Sequence, residues 1–245
     1  MSNSGIAESI YHEKWSSKEE QKLWEYVVEQ NLGYREISEI IGRGVDAIRN
    51  KVFNLRKQHG KDWTRQERIG FFDIESSHLK ANIGNMISWS MKPRGGDVKY
   101  MGWTRREAID WKRMDRRIVR ELCKELSNYD LLVTYFGSRF DIGFIRTRAM
   151  ILGIPFPEYG IIKHFDLYYA VRNKLSLHSN RLAVATETLD IEGKTPLPPE
   201  VWGEARLGYP KAMDLIREHN EEDVIILEEL FEEMYPYINI TRNSI

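Results

Sequence analysis

Apolar positions along the chain change their period near residue 68. Before it they recur at helical spacing: Leu23, Trp24, Val27 and Val28, then Tyr34, Ile37, Ile40 and Ile41, then Ile48, Val52 and Leu55. Ser16-Ser17-Lys18-Glu19 has the Ser-x-x-Glu form of a capping box and opens the first of three short helices. Asn31-Leu32-Gly33 ends that helix, Gly42-Arg43-Gly44 turns the second into the third, and the third is predicted to run to about Lys57. Gln58 to Arg68 is polar and reads as a linker. Beyond it, Gly70-Phe71-Phe72-Asp73-Ile74-Glu75, Asn82 to Met91 and Val98 to Trp103 predict strands, with Pro93-Arg94-Gly95-Gly96 as the turn between the last two. A helix is predicted from about Thr104 to Leu126, with Ile109, Met114, Ile118, Leu122 and Leu126 inward. Asp130 to Phe136 carries no charge after its first residue, as expected of a strand buried on both faces. It empties through Gly137-Ser138 into a helix opening at Asp141, with Phe144, Ile145 and Ala149 inward. Ile161 to Phe165 predicts a short strand ending at Asp166, which caps the helix that follows. The last helix buries Val224, Ile226, Leu227 and Leu230 and turns Glu221, Glu222, Glu228 and Glu229 to solvent. The expected fold class is α/β, a mixed sheet flanked by helices over about 68–240, preceded by a small all-α domain over 1–62.

Composition adds limits. The chain has 245 residues, 42% hydrophobic and 30% charged, enough apolar mass for a core. No apolar run approaches the roughly 20 residues that cross a bilayer, so no membrane partner is expected. Met1 to Tyr11 is polar and lacks a signal-peptide pattern, and Cys123 is the only cysteine. A cytoplasmic location follows as the expectation, the host cytoplasm for a viral protein. The net charge of −1 excludes a global positive field, so affinity for nucleic acid must come from local clusters.

One such cluster lies on the third helix. From Arg43 to Lys61 there are six cations (Arg43, Arg49, Lys51, Arg56, Lys57, Lys61) against Asp46, a local +5. Arg49, Asn50, Phe53, Asn54 and Lys57 share the face away from the apolar stripe. Arginine and asparagine are side chains that read base edges, and cations suit phosphates. Trp15 to Arg56, above all Ile-Ser-Glu-Ile-Ile-Gly-Arg-Gly-Val-Asp-Ala-Ile-Arg-Asn-Lys, resembles the Myb/SANT-like and homeodomain-like helix-turn-helix families. That resemblance implies DNA binding; a small helical bundle for protein contacts is the other reading.

Candidate chemistry begins at Asp73 and Glu75. Period-2 alternation points both to one face of a strand, where two negative charges repel unless a cation neutralises them. Oxygen ligands suit Mg²⁺ or Mn²⁺; solvated acids at a strand end are the alternative. Asp141 opens a helix at a strand's C-terminal edge, where sites form in open α/β sheets, although first-turn acids also serve the helix dipole. His219 and Asp223 stand four apart on one helical face, a spacing that surface pairs share.

Phe-Asp-Ile-Glu, Phe-Gly-Ser-Arg-Phe-Asp and His-Asn-x-x-Asp-Val together resemble the three motifs of the DEDD-type 3′–5′ exonucleases. That family has a ribonuclease H-like fold and includes the proofreading domains of family B DNA polymerases. The similarity spans about residues 68–235, and Phe165-Asp166-Leu167 through Leu189 to Lys194 is similar to the family's connection between its second and third motifs. The resemblance implies that Asp73, Glu75 and Asp223 hold one divalent ion, and that Asp73 bridges to a second supported by Asp141. It further implies two Mg²⁺ (or Mn²⁺) ions and nucleic acid as substrate, DNA ahead of RNA, with any replication or repair partner unnamed. Two departures stand out. His219 occupies the position of a tyrosine in the subfamily with this spacing; its ordinary pKa near 6.5 suits orienting or deprotonating the attacking water. Phe136 stands where the second motif commonly has asparagine. A structure-specific ribonuclease H-like endonuclease and a DNA-binding regulator with an inactive nuclease-like scaffold are the alternatives.

Overall fold

Ser16 caps the first helix as its sequence predicts: its side chain accepts the Glu19 amide while the Glu19 carboxylate accepts the Ser16 amide at 2.8 Å. The computed structural model describes residues 14–59, 67–110, 112–193, 196–240 and 243–245, so most of the expected linker, with Lys61, and also Lys194 lie outside the described residues. The chain divides into two compact units, Met1–Glu67 and Arg68–Ile245.

In the first unit, α1 (Ser17–Trp24) continues as a π-helical turn, Glu25–Glu29, and is followed by α2 (Tyr34–Ile41) and α3 (Val45–His59). Gly42 ends α2 at φ +77°, a left-handed conformation that glycine adopts without a Cβ penalty. Leu23, Val27, Ile37, Ile48, Val52 and Leu55 form the core, each at most 1% exposed. Ile40, expected on the apolar stripe, is instead exposed, because a helix of eight residues turns only one narrow face to so small a core.

The second unit is built on a six-stranded sheet. In chain order the strands are β1 (Ile69–Ser76), β2 (Met86–Pro93), β3 (Lys99–Gly102), β4 (Leu131–Thr134), β5 (Lys163–Asp166) and the two-residue β6 (Asn243–Ser244). Their spatial order is β3-β2-β1-β4-β5-β6. β1, β2 and β3 pair antiparallel, β4 and β5 join parallel to β1, and β6 closes the edge antiparallel. The result is the mixed sheet flanked by helices that the sequence predicts. The helices are α4 (Arg105–Ile109), α5 (Arg116–Leu126), α6 (Asp141–Leu152), α7 (Leu167–Lys174), α8 (Leu182–Thr188), α9 (Pro199–Arg206) and α10 (Pro210–Met234).

Alternation in β1 and β4 sorts the core onto two faces. Phe72, Ile74 and Leu132 pack with Ile118 and Leu122 of α5 and Ile145 of α6. Ile69, Phe71, Leu131 and Val133 pack with Val224, Leu227 and Phe231 of α10, where the Phe71 and Phe231 rings meet edge-on at 5.3 Å. No helix among the described residues is long and apolar enough to cross a membrane.

Four further local expectations are corrected. The helix predicted over Thr104–Leu126 is two helices, because the chain turns between them: Met114 takes φ +36°, and Asp115 enters the core to meet Arg148 at 2.7 Å. Ile109, expected inward, is exposed. β2 starts at Met86 rather than Asn82, since Ala81 to Ile83 form a turn in which Gly84 donates to the Lys80 carbonyl at 2.8 Å. Glu228 is only 13% exposed, not solvated, because it takes up Lys92 and the Gly95 amide.

Candidate active site

The alternation that seats Ile69 and Phe71 beneath α10 carries Asp73 and Glu75 onto the same face. β1 outruns β4, whose last pairing with it is Phe71 to Val133, so both acids stand beyond the parallel strand's end. Opposite them on β2 are two buried serines, Ser90 across from Asp73 and Ser88 across from Glu75. Small residues here let α10 approach the sheet. That approach brings the last motif in: His219 Nε2 lies 3.9 Å from Glu75 Oε1 and 4.0 Å from Asp223 Oδ2. Glu75, His219 and Asp223 form a group whose ligand atoms lie within 4.8 Å of one another, a set that could hold a metal ion.

Asp73 is tied to the same helix by Asn220, fully buried, whose side-chain nitrogen donates to Asp73 Oδ2 at 2.8 Å. Asn220 in turn accepts from Ser88 Oγ at 3.1 Å. Asp141, 3% exposed, accepts from the Ile74 amide, the residue between the two β1 acids, at 3.3 Å. Burial pushes its carboxyl up to about 7 against that hydrogen bond, and the charges of Asp166 and Asp223 push the same way. Glu75, His219 and Asp223 therefore meet in one group, whereas Asp73 and Asp141 are outside it and are placed beside it by their bonds to Asn220 of α10 and to the Ile74 amide of β1. An excess of negative charge held at one sheet edge, with one imidazole beside it, fits divalent cations with oxygen-rich coordination.

The strand-to-helix turn before Asp141 is tight. A Cβ on Gly137 would lie 2.9 Å from Asp141 Oδ2 and 2.3 Å from Thr134 Oγ1, so only glycine lets the turn close on that carboxylate. Phe136 precedes it at φ +68°, a conformation that costs a bulky residue about 1–3 kcal/mol. Asp166 holds it there: its carboxylate accepts the Phe136 amide at 2.7 Å and the Ser138 amide at 3.0 Å, and also caps α7. Sequence reading assigned Asp166 the cap alone. It also passed over the roles of Asn220, Ser88 and Trp202, whose ring meets His219 edge-on at 5.8 Å. Asn220 sat inside the quoted motif; nothing local marks Ser88 or Trp202, since their partners are over 15 residues away in sequence.

On the first unit, Asn50, Phe53, Asn54 and Lys57 are exposed on α3, with Arg49 and Arg56 half-buried beside them. Arg43 does not share that face. It is 8% exposed, paired with Glu19 at 2.8 Å and stacked 4.4 Å from the Trp15 ring. Lys51 is bound to Glu20.

No curated protein sequence matches this chain. Among solved structures, the family B DNA polymerase from the hyperthermophilic archaeon Pyrobaculum calidifontis is similar at 20% identity with a TM-score of 0.57. The match covers 70% of this chain and 25% of the polymerase, so this chain spans about a quarter of that protein's length. The family model for the RNase H superfamily matches residues 70–235, which contain the whole sheet apart from its first residue and β6, and all four acids. The chain belongs to the RNase H superfamily.

Proposed function

We propose that the protein is a divalent-metal-dependent 3′–5′ exonuclease acting on nucleic acid, DNA ahead of RNA. The observation that carries this reading is the group formed by Glu75, His219 and Asp223, with Asp73 tied to the same helix through Asn220 and Asp141 held to β1 through the Ile74 amide. Asp73, Glu75 and Asp223, with Asp141 beside them, would hold two Mg²⁺ or Mn²⁺ ions. Bound there, such ions supply Lewis acidity that activates water and stabilises a leaving oxygen. The chain's own residues do the rest. Asn220 and the Ile74 amide fix the orientation of Asp73 and Asp141, and Trp202 fixes the plane of the His219 ring. His219 Nε2 orients the attacking water and takes its proton.

The first unit acts as a helix-turn-helix DNA-binding domain over residues 1–62 that meets duplex through Arg49, Asn50, Asn54, Arg56 and Lys57. Arg43, in the turn before α3, and Lys51 on α3 instead tie these segments to Glu19 and Glu20 of α1.

End-labelled oligonucleotides with Mg²⁺ test the reading. A ladder shortening from the 3′ end is expected. Internal cuts would assign an endonuclease, and intact substrate with both Mg²⁺ and Mn²⁺ would assign an inactive scaffold.

A further inference from the structure

Phe136 is held in a strained backbone conformation and yet leaves 44% of its surface exposed. Apolar burial therefore does not explain why an aromatic stands there. Its ring forms one wall of a groove of about 380 Å³ lined also by Tyr135, Tyr168, Asn180, Arg181 and Leu182. Tyr168 braces it edge-on at 4.8 Å and Tyr135 braces Tyr168 edge-on at 5.8 Å. Tyr135 closes the far side by donating its hydroxyl to the Asn180 carbonyl at 2.7 Å. Among the described residues no acid lines the groove; Arg181 stands exposed at its rim, and Arg139 is exposed in the turn that Phe136 begins. The same turn abuts Asp141 through Gly137.

We propose that this groove is a base-stacking subsite for an unpaired nucleobase of a single-stranded nucleic acid, with Phe136 as the stacking face. Aromatic faces take every base because every base has a π-face, and flanking arginines meet the phosphates without reading sequence. A base that enters has left its partner, so the subsite selects single strands or frayed ends over intact duplex. The edge-on neighbours fix the Phe136 ring, and Asp166 fixes its backbone, so the face is preorganised. The proposal rests on the nuclease reading for the strand's source, since the turn's contact with Asp141 places the stacked base beside the acids.

The test uses the whole 245-residue chain in EDTA, where binding is read without hydrolysis. The probes are a fluorescently labelled single-stranded oligonucleotide and the same strand carrying 2-aminopurine at successive positions from its 3′ end. Asparagine tolerates the left-handed conformation of residue 136, so Phe136→Asn keeps the turn and removes the ring. The expected result is roughly tenfold weaker binding and loss of 2-aminopurine quenching at one position, with Phe136→Trp retaining both. An abasic residue at that position should weaken binding by the wild type equally and leave Phe136→Asn unaffected. Wild-type affinity and quenching in a folded Phe136→Asn protein would overturn the proposal. So would an abasic scan of the unmodified protein in which no position loses affinity. Quenching by a protein that hydrolyses nothing would support the subsite while removing the nuclease reading. Hydrolysis without quenching would do the reverse.

Discussion

Three side chains at the site carry separable roles. His219 stands about 4 Å from two carboxylates, too far to hydrogen-bond either, and meets the Trp202 ring edge-on. If it orients and deprotonates water, His219→Ala lowers the turnover number by about 10²–10⁴. His219→Tyr recovers part of the loss, because a phenol can still hydrogen-bond that water; single-turnover kinetics on the two variants measures both. Asn220 bridges Ser88 of β2 to Asp73. Asn220→Ala should weaken Mn²⁺ binding about 10–100-fold, the usual effect of losing a group that orients a ligand, read by calorimetric titration. Asp141 links stability to pH. Its folded pKa, pushed up to about 7, exceeds its unfolded value of 3.8, so the native state binds the proton more tightly. Through this group the metal-free protein loses stability as pH rises from about 4 to about 7 and is then level. Asp141→Asn should flatten that part of a melting-temperature profile recorded in EDTA, and an unchanged slope would place the linkage elsewhere.

At the scale of elements, α5 and α6 are locked to each other and to the sheet, which fixes the helix that Asp141 opens. Asp115 at the start of α5 is fully buried and takes two bonds from Arg148 of α6, at 2.7 and 2.8 Å, and one from the Met86 amide of β2 at 2.9 Å. Arg148 also reaches the Ala81 carbonyl and the Asn85 side chain, so one guanidinium joins α6 to the turn before β2. Removing one partner strands a buried charge. Arg148→Ala is expected to cost about 3–5 kcal/mol in urea denaturation, and a change below about 1 kcal/mol would show the pair to be dispensable. On the opposite face, one helix serves both tasks: Phe231 of α10 packs on β1 while His219, about three turns earlier, reaches the acids.

At the scale of the whole molecule, two compact units sit in one chain with a net charge of −1. The proposed duplex binding would then have to reside in a local surface, and α3 offers Arg49, Asn54 and Lys57. Replacing all three by alanine in the whole chain should weaken duplex binding and lower its slope against log salt by about two, for two cations removed. Hydrolysis of a short single strand should persist, since no acid is lost. Unchanged affinity at every salt concentration would make the first unit a protein-contact module.

Much of this was written in local pattern. The Ser16 capping box, the helical periods of α1 and α3, the uncharged run of β4 and the odd-numbered alternation of β1 act over a few residues, and each element formed as its pattern required. Three motifs in order also marked where the acids would come from. Tertiary structure decided what long-range packing alone controls. It broke the Thr104–Leu126 pattern in two, because burying Asp115 against Arg148 outweighed helix continuity. It turned Arg43 inward to Glu19 and so removed it from the surface its charge suggested. It also made Asn220, 147 residues from Asp73 in sequence, the group that orients that carboxylate. Periodicity reports which face a residue occupies; only the closed fold determines which side chains meet across it.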